Sequence, residues 1–136
     1  MFKILIVEDS PIFRRSLKEI LRTRFPSLVV AEAADGKEAL EQVEAAPPDL
    51  IFMDIKLPGV NGLELTKKIK TGHPKINIII LTNYDIPEYR QAAYHYGANY
   101  FISKSSSSRQ EMVALVESIA SDLGFDHDSE RNEKGS

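Results

Sequence analysis

Three acids stand where short apolar runs end: Glu8 and Asp9 follow Ile4-Leu5-Ile6-Val7, and Asp54 follows Leu50-Ile51-Phe52-Met53. A hydroxyl, Thr82, closes Ile78-Ile79-Ile80-Leu81, and an ammonium, Lys104, stands two residues beyond Ile102. A carboxylate at the rim of an apolar sheet costs free energy unless something solvates, pairs or uses it. Two ionised carboxylates about 4 Å apart repel by roughly 1 kcal/mol in water and about 4 kcal/mol at an effective dielectric of 20. Gathering Glu8, Asp9 and Asp54 therefore needs counter-charge. Lys104 supplies one unit, and the rest suits a hard divalent cation with oxygen ligands, Mg²⁺ foremost. A nucleotide or flavin site would want a Gly-rich or hydroxyl-rich loop after the first strand, with bare backbone N–H groups facing phosphate. Glu8-Asp9-Ser10-Pro11 would repel phosphate without a metal. The consistent chemistry is phosphoryl transfer to a metal-neutralised carboxylate. Asp54 is the nucleophile and needs no base. Thr82 and Lys104 stabilise the phosphoryl oxygens by placed charge and hydrogen bonding.

The elements that position these residues are legible as alternating patterns. Strands are expected at Lys3–Glu8, Leu28–Ala33, Leu50–Asp54, Ile76–Thr82 and Asn99–Ile102. Their runs do not alternate in polarity, as in parallel strands covered on both faces. The first helix carries a core stripe of Phe13, Leu17, Ile20, Leu21 and Phe25, with Ser10 as its cap and Pro11 at its first position. Four later helices are expected to open with a capping box: Asp35 with Glu38, Asn61 with Glu64, Asp85 with Glu88, and Ser108 with Glu111. The last helix should turn Met112, Val116, Ile119, Ala120 and Leu123 inward. Five strands alternating with five helices give an α/β fold, a parallel sheet wound on both faces with right-handed crossovers. Ligands of such sheets bind beyond the carboxyl ends of the strands, where strand order reverses. If Asp9 and Asp54 share one ion, the first and third strands are neighbours and the order is 2-1-3-4-5.

Composition sets the outer limits. The 136 residues are 43% hydrophobic and 27% charged, which suits one globular domain. That domain is expected over 1–123, with 124–136 a polar flexible tail or the start of a linker. Net charge is −3 with signs interspersed, so no basic field points to nucleic acid. The chain has no Cys, which removes disulfides, thiolate metal sites and Cys nucleophiles. No signal segment and no membrane span is legible, so the expected location is the cytoplasm, with no membrane partner.

The stretches "VEDS", "MDIKLPGVNG", "ILTNYD" and "GANYFISKS", in this order and at strand ends, resemble a response-regulator receiver domain of two-component signalling, the CheY-like family. The wording is closest to receivers of NarL/FixJ-type regulators. The resemblance implies a flavodoxin-like, CheY-like fold over about Met1 to Leu123. It implies an acidic pocket of Glu8, Asp9 and Asp54 binding Mg²⁺, with the backbone carbonyl of Lys56 as a further ligand. It implies that Asp54 accepts a phosphoryl group from a histidine kinase or phosphotransfer protein, that Thr82 and Lys104 bind it, and that Thr82 and Phe101 form the switch. On this reading the chain is no turnover enzyme; it catalyses its own phosphorylation and slow dephosphorylation. Phe101 is expected to become more buried on activation. The sequence departs from the family at Ser105, where Pro is common, and at Asn83, where Ala or Gly is usual.

All five tyrosines fall between Tyr84 and Tyr100, which marks the fourth helix, fifth strand and fifth helix as an output or homodimer face. Lys56 and Tyr84 should flank the pocket mouth and slow hydrolysis of the acyl phosphate. Arg14, Lys18 and Arg22 read as a solvated charged face, with kinase docking as the functional alternative. His73, His95 and His127 lie too far apart for a metal set. A haloacid-dehalogenase-type phosphatase would need an acid where Lys56 stands. A flavodoxin-like electron carrier is disfavoured by the acidic first loop. The remaining alternative is one of context: the excised receiver of a NarL/FixJ-type DNA-binding transcriptional regulator.

Overall fold

The computed structural model describes residues 1–125. Their order is β1 (Lys3–Val7), α1 (Pro11–Arg24), β2 (Val29–Ala33), α2 (Gly36–Ala45), β3 (Leu50–Met53), β4 (Lys56–Leu57), β5 (Val60–Asn61), α3 (Gly62–Gly72), β6 (Asn77–Thr82), α4 (Pro87–His95), β7 (Tyr100–Ser103) and α5 (Arg109–Asp122). Five strands form one parallel sheet, ordered β2-β1-β3-β6-β7. Counted within that sheet, this is the expected order 2-1-3-4-5, with β1 and β3 adjacent.

Successive strand residues point to opposite faces, and in the central strands both sets are buried. Leu5, Val7, Ile51, Met53, Ile78 and Ile80 pack under α2, α3 and α4 through Ala39, Val43, Leu65, Ile69 and Ala93. Ile4, Ile6, Leu50, Phe52, Ile79 and Leu81 meet α1 and α5 through Leu17, Leu21, Met112, Val116 and Ile119. That two-sided burial is why the runs lack alternation. The strands stop at Glu8 and Asp54 because the apolar supply ends there, although Glu8 N–H to Ala33 O and Asp54 N–H to Val7 O, both 3.0 Å, carry the ladder one residue further.

Helix starts follow local chemistry with one exception. Ser10 Oγ accepts from Phe13 N–H at 3.3 Å, Asp35 Oδ1 from Glu38 N–H at 2.8 Å, and Asn61 Oδ1 from Leu63 N–H at 2.7 Å. Ser108 and Glu111 form a complete capping box. Asp85 does not cap α4. That helix opens at Pro87 behind Ile86 with no side-chain cap, and Asp85 instead receives Arg90 Nη2 at 2.9 Å. Proline explains the shift: it favours the first helical position and constrains the residue before it to extended backbone. Leu123, expected inward, is 43% exposed. The helix has ended by then in a Schellman turn, with Phe125 N–H on Ala120 O at 2.7 Å and Gly124 N–H on Ser121 O at 3.0 Å. The turn lays Phe125 against Phe2, ring centroids 5.3 Å apart. Packing thus runs through Phe125, the last described residue. The rest of the expected tail, with His127, lies outside the described residues.

Leu57-Pro58-Gly59-Val60 forms the tip of a small antiparallel hairpin, β4–β5. Among the described residues, no helix is long and apolar enough to cross a membrane.

Candidate functional site

Adjacent parallel strands bring Glu8 and Asp54 side by side, and Asp9 follows at the mouth. The three acids each offer an oxygen within 4.8 Å of the others. Glu8 is 3% exposed and Asp54 8%, whereas Asp9 is open to solvent. Each buried carboxylate is anchored: Glu8 Oε2 accepts from Ser10 N–H at 3.0 Å, and Asp54 Oδ1 from Ile55 N–H at 2.8 Å. Burial holds the Glu8 carboxyl above its ordinary range, while Lys104 and the Ser10 N–H pull it partly back.

Lys104 arrives from the far side of the sheet. Its N–H donates to Thr82 O at 2.8 Å, so the end of β6 fixes where the side chain starts. Its ammonium bonds Glu8 Oε1 and lies 3.4 Å from Asp54 Oδ2. The same ammonium sits over the Phe13 ring, 4.3 Å from its centroid. One ammonium among three carboxylates leaves about two negative charges uncompensated. The donors are all hard oxygens, so the set fits a divalent cation of the Mg²⁺ class and not a soft metal.

The other expected site residues are placed differently. Thr82 is fully buried beside this cluster, and its Oγ1 accepts from Tyr84 N–H at 3.1 Å. Lys56 turns its side chain outward onto Tyr89 Oη at 3.3 Å and over the Tyr84 and Tyr89 rings, at 5.2 and 5.5 Å. Phe101 lies apart from the acids, on β7. It is only 7% exposed, packed in the core under α4. The Arg90 guanidinium lies 4.6 Å above its ring, held by Asp85.

Several contributors were not legible beforehand. Arg14 and Lys18 are not merely a solvated face. Both pair with Glu32 at 3.0 Å, and Arg14 Nη1 also donates to the Glu8 carbonyl at 2.6 Å, bracing the acidic loop from behind. Gly62 lies against the chain leaving Asp54. Its N–H reaches Ile55 O at 2.8 Å, and a Cβ there would fall 1.8 Å from the Asp54 carbonyl oxygen. The serines after Lys104, at the site of the Ser105 departure, close on one another: Ser105 and Ser106 Oγ lie 3.1 and 3.0 Å from Ser103 Oγ. Gly62 closes the stretch MDIKLPGVNG and Phe13 belongs to the apolar stripe of the first helix, yet what each touches depends on which strands become neighbours.

Residues 4–117 match the family described as response regulator receiver domain. The chain belongs to that family. The receiver is 38% identical over 114 residues to the oxygen regulatory protein NreC of Staphylococcus haemolyticus, covering 83% of this chain and 52% of NreC. It is 33% identical over 117 residues to the transcriptional regulatory protein DegU of Brevibacillus brevis, covering 86% of this chain and 48% of DegU. A CheY-like receiver domain protein from Methanospirillum hungatei superimposes with a TM-score of 0.80 at 30% identity, over 87% of this chain and 92% of that one. The receiver thus spans about half the length of these curated relatives.

Proposed function

We propose that the receiver accepts a phosphoryl group on Asp54 from a histidine kinase or a phosphotransfer protein. The observation that carries this reading is the pairing of a buried carboxylate, Asp54, with Lys104 at 3.4 Å beside two further acids. Glu8, Asp9, Asp54 and the Lys56 carbonyl would hold Mg²⁺. When bound, the ion would supply positive charge that offsets the repulsion between the acids and an incoming phosphoryl group. An Asp54 oxygen gives the electron pair for the new P–O bond. The bond from phosphorus to the donor breaks, and its pair leaves with the donor, as imidazole nitrogen or as acetate. Lys104 moves from Glu8 toward the phosphoryl oxygens, and the Thr82 hydroxyl turns to donate to another.

Acyl phosphate adds close to two negative charges at Asp54. Withdrawal of Thr82 from Tyr84 N–H loosens the β6–α4 loop, where Asp85 anchors Arg90 over Phe101. Phe101 has only 7% of its surface left to bury, which is the burial of an inward-turned ring. The expected gain in burial on activation is correspondingly small. The β6–α4 loop leaves Tyr84 and Ile86 exposed and α4 leaves Tyr94 exposed, and the face of α4, β7 and α5 would serve as the output or homodimer surface. In the longer regulators the receiver resembles, this face would hand the signal to a DNA-binding domain; the receiver itself would touch no nucleic acid. The reading places it in the cytoplasm, as a switch that turns over only its own acyl phosphate.

The test is incubation with acetyl phosphate and Mg²⁺. Intact mass should rise by one phosphoryl group, and Asp54→Asn should abolish the gain. A wild-type protein that stays unmodified refutes the proposal.

A further inference from the structure

We infer that Phe13 is a positioning residue for Lys104, acting through the negative face of its ring; this rests on the phosphoacceptor reading above. Among the described residues the Lys104 ammonium has three charged or aromatic neighbours: Glu8 Oε1, Asp54 Oδ2 at 3.4 Å, and the Phe13 ring centroid at 4.3 Å. The first two are anions that a phosphoryl group and a divalent cation would rearrange. The ring is the one neighbour whose attraction is independent of that exchange. It takes no hydrogen bond from the ammonium, so it does not compete with phosphoryl oxygens for the donors.

The placement of the ring is built in. Phe13 occupies the first turn of α1, where Pro11 presets the backbone and Ser10 Oγ accepts the Phe13 N–H at 3.3 Å. Arg14, the next residue, ties the same turn to the Glu8 carbonyl and to Glu32. The ring therefore sits on a rigid element beside the acid that Lys104 would leave. Phe13 is only partly buried and packs at the margin of the α1–α5 core. A leucine would satisfy that margin equally well, but it has no quadrupole to hold a cation. Lysine needs such help, because its long stem samples many rotamers and its head is strongly hydrated. With the ring beneath it, the side chain stays 10% exposed and aimed into the pocket.

The test varies the ring's electrostatics at nearly constant shape. The full chain is prepared with phenylalanine, 4-fluoro-, 3,5-difluoro- and 3,4,5-trifluorophenylalanine at position 13, alongside Phe13→Leu and Phe13→Trp. The rate of phosphoryl gain from acetyl phosphate at fixed Mg²⁺ is read by intact mass, and the Lys104 ε-methylene proton shifts by NMR. The expected results are an upfield ring-current shift in the wild type that Phe13→Leu abolishes and a stepwise fall in rate with fluorination. The fall should reach about three- to tenfold at trifluorophenylalanine, with Phe13→Trp near wild type and melting temperatures across the fluorinated series unchanged. A merely structural role would leave the fluorinated series flat. A flat series in a protein that still takes up phosphoryl overturns this inference alone. A wild type that gains no phosphoryl group overturns the phosphoacceptor reading, and this role with it.

Discussion

Replacing Gly62 by alanine sets two effects of opposite sign against each other. Gly62 is the first residue of α3, and helix propensity alone favours alanine by about 0.5–1 kcal/mol. The added Cβ, however, would lie 1.8 Å from the Asp54 carbonyl oxygen, where real contacts stay above 3.0 Å, so the two backbones must part by at least 1.2 Å. Both partners are backbone within a sheet rim and a helix start, and no rotamer change relieves the overlap. Overpacking of this kind costs about 1–3 kcal/mol, and loss of the bond from Gly62 N–H to Ile55 O adds about 0.5–1.5 kcal/mol. The net is a destabilisation near 2.5 kcal/mol. At about 3–5 °C per kcal/mol for a domain of this size, melting should fall by roughly 10 °C. The displacement also moves Asp54, the proposed phosphoacceptor. A misplacement of about 1 Å can cost on the order of a hundredfold in rate. Thermal unfolding by circular dichroism and phosphoryl uptake from acetyl phosphate read the two consequences separately. A Gly62→Ala protein that melts at or above the wild-type temperature with an unchanged uptake rate would show that the helix start and the Asp54 carbonyl are not in contact.

Lys18, then Arg14, hold the Glu32 carboxyl below its ordinary value of 4.5. A depressed acid contributes stability above its unfolded pKa and loses it as pH falls through the folded one. Glu32→Gln should therefore lower the melting temperature at pH 7, and the difference should vanish on acidification below pH 4.5; an equal deficit at both pH values would contradict the pairing. Mg²⁺ at a hundred times its dissociation constant should stabilise the receiver by about 2.7 kcal/mol. Asp9→Ala should shift that titration to higher concentration in differential scanning calorimetry, and identical titrations would remove Asp9 from the ligand set. Trimming Lys56 and Tyr84 together to alanine dismantles the cluster that the Lys56 ammonium forms with the Tyr84 and Tyr89 rings. Hydrolysis of the acyl phosphate should then quicken by about two- to tenfold, followed by loss of the phosphoryl mass; an unchanged half-life rejects a shielding role.

Strand identity was readable because the central strands are buried on both faces, which forces continuous runs such as Ile78 to Leu81. Strand order was readable because Asp9 and Asp54 are useful only as neighbours. Contacts set by the fold rather than by local pattern were hidden. Asp85 satisfies a capping-box spacing with Glu88, but Pro87 starts the helix and releases the aspartate to Arg90. Leu123 continues the apolar period of α5 past the point where Gly124 turns the chain. Arg14 and Lys18 read as solvated because the acid that claims them, Glu32, lies 18 and 14 residues away on the second strand, and no local spacing aims its side chain at the first helix. The closeness of Gly62 to Asp54 depends on the β4–β5 hairpin, whose two-residue strands are too short for any period to register.

Glu8 emerges early during synthesis and Lys104 late, ninety-six positions afterwards. A ribosome-bound chain that has extruded the acids but not β7 therefore carries them without their ammonium. Such a chain would bear the acids without their counter-charge, so the Glu8–Lys104 pair can close only once the edge strand β7 has joined the sheet.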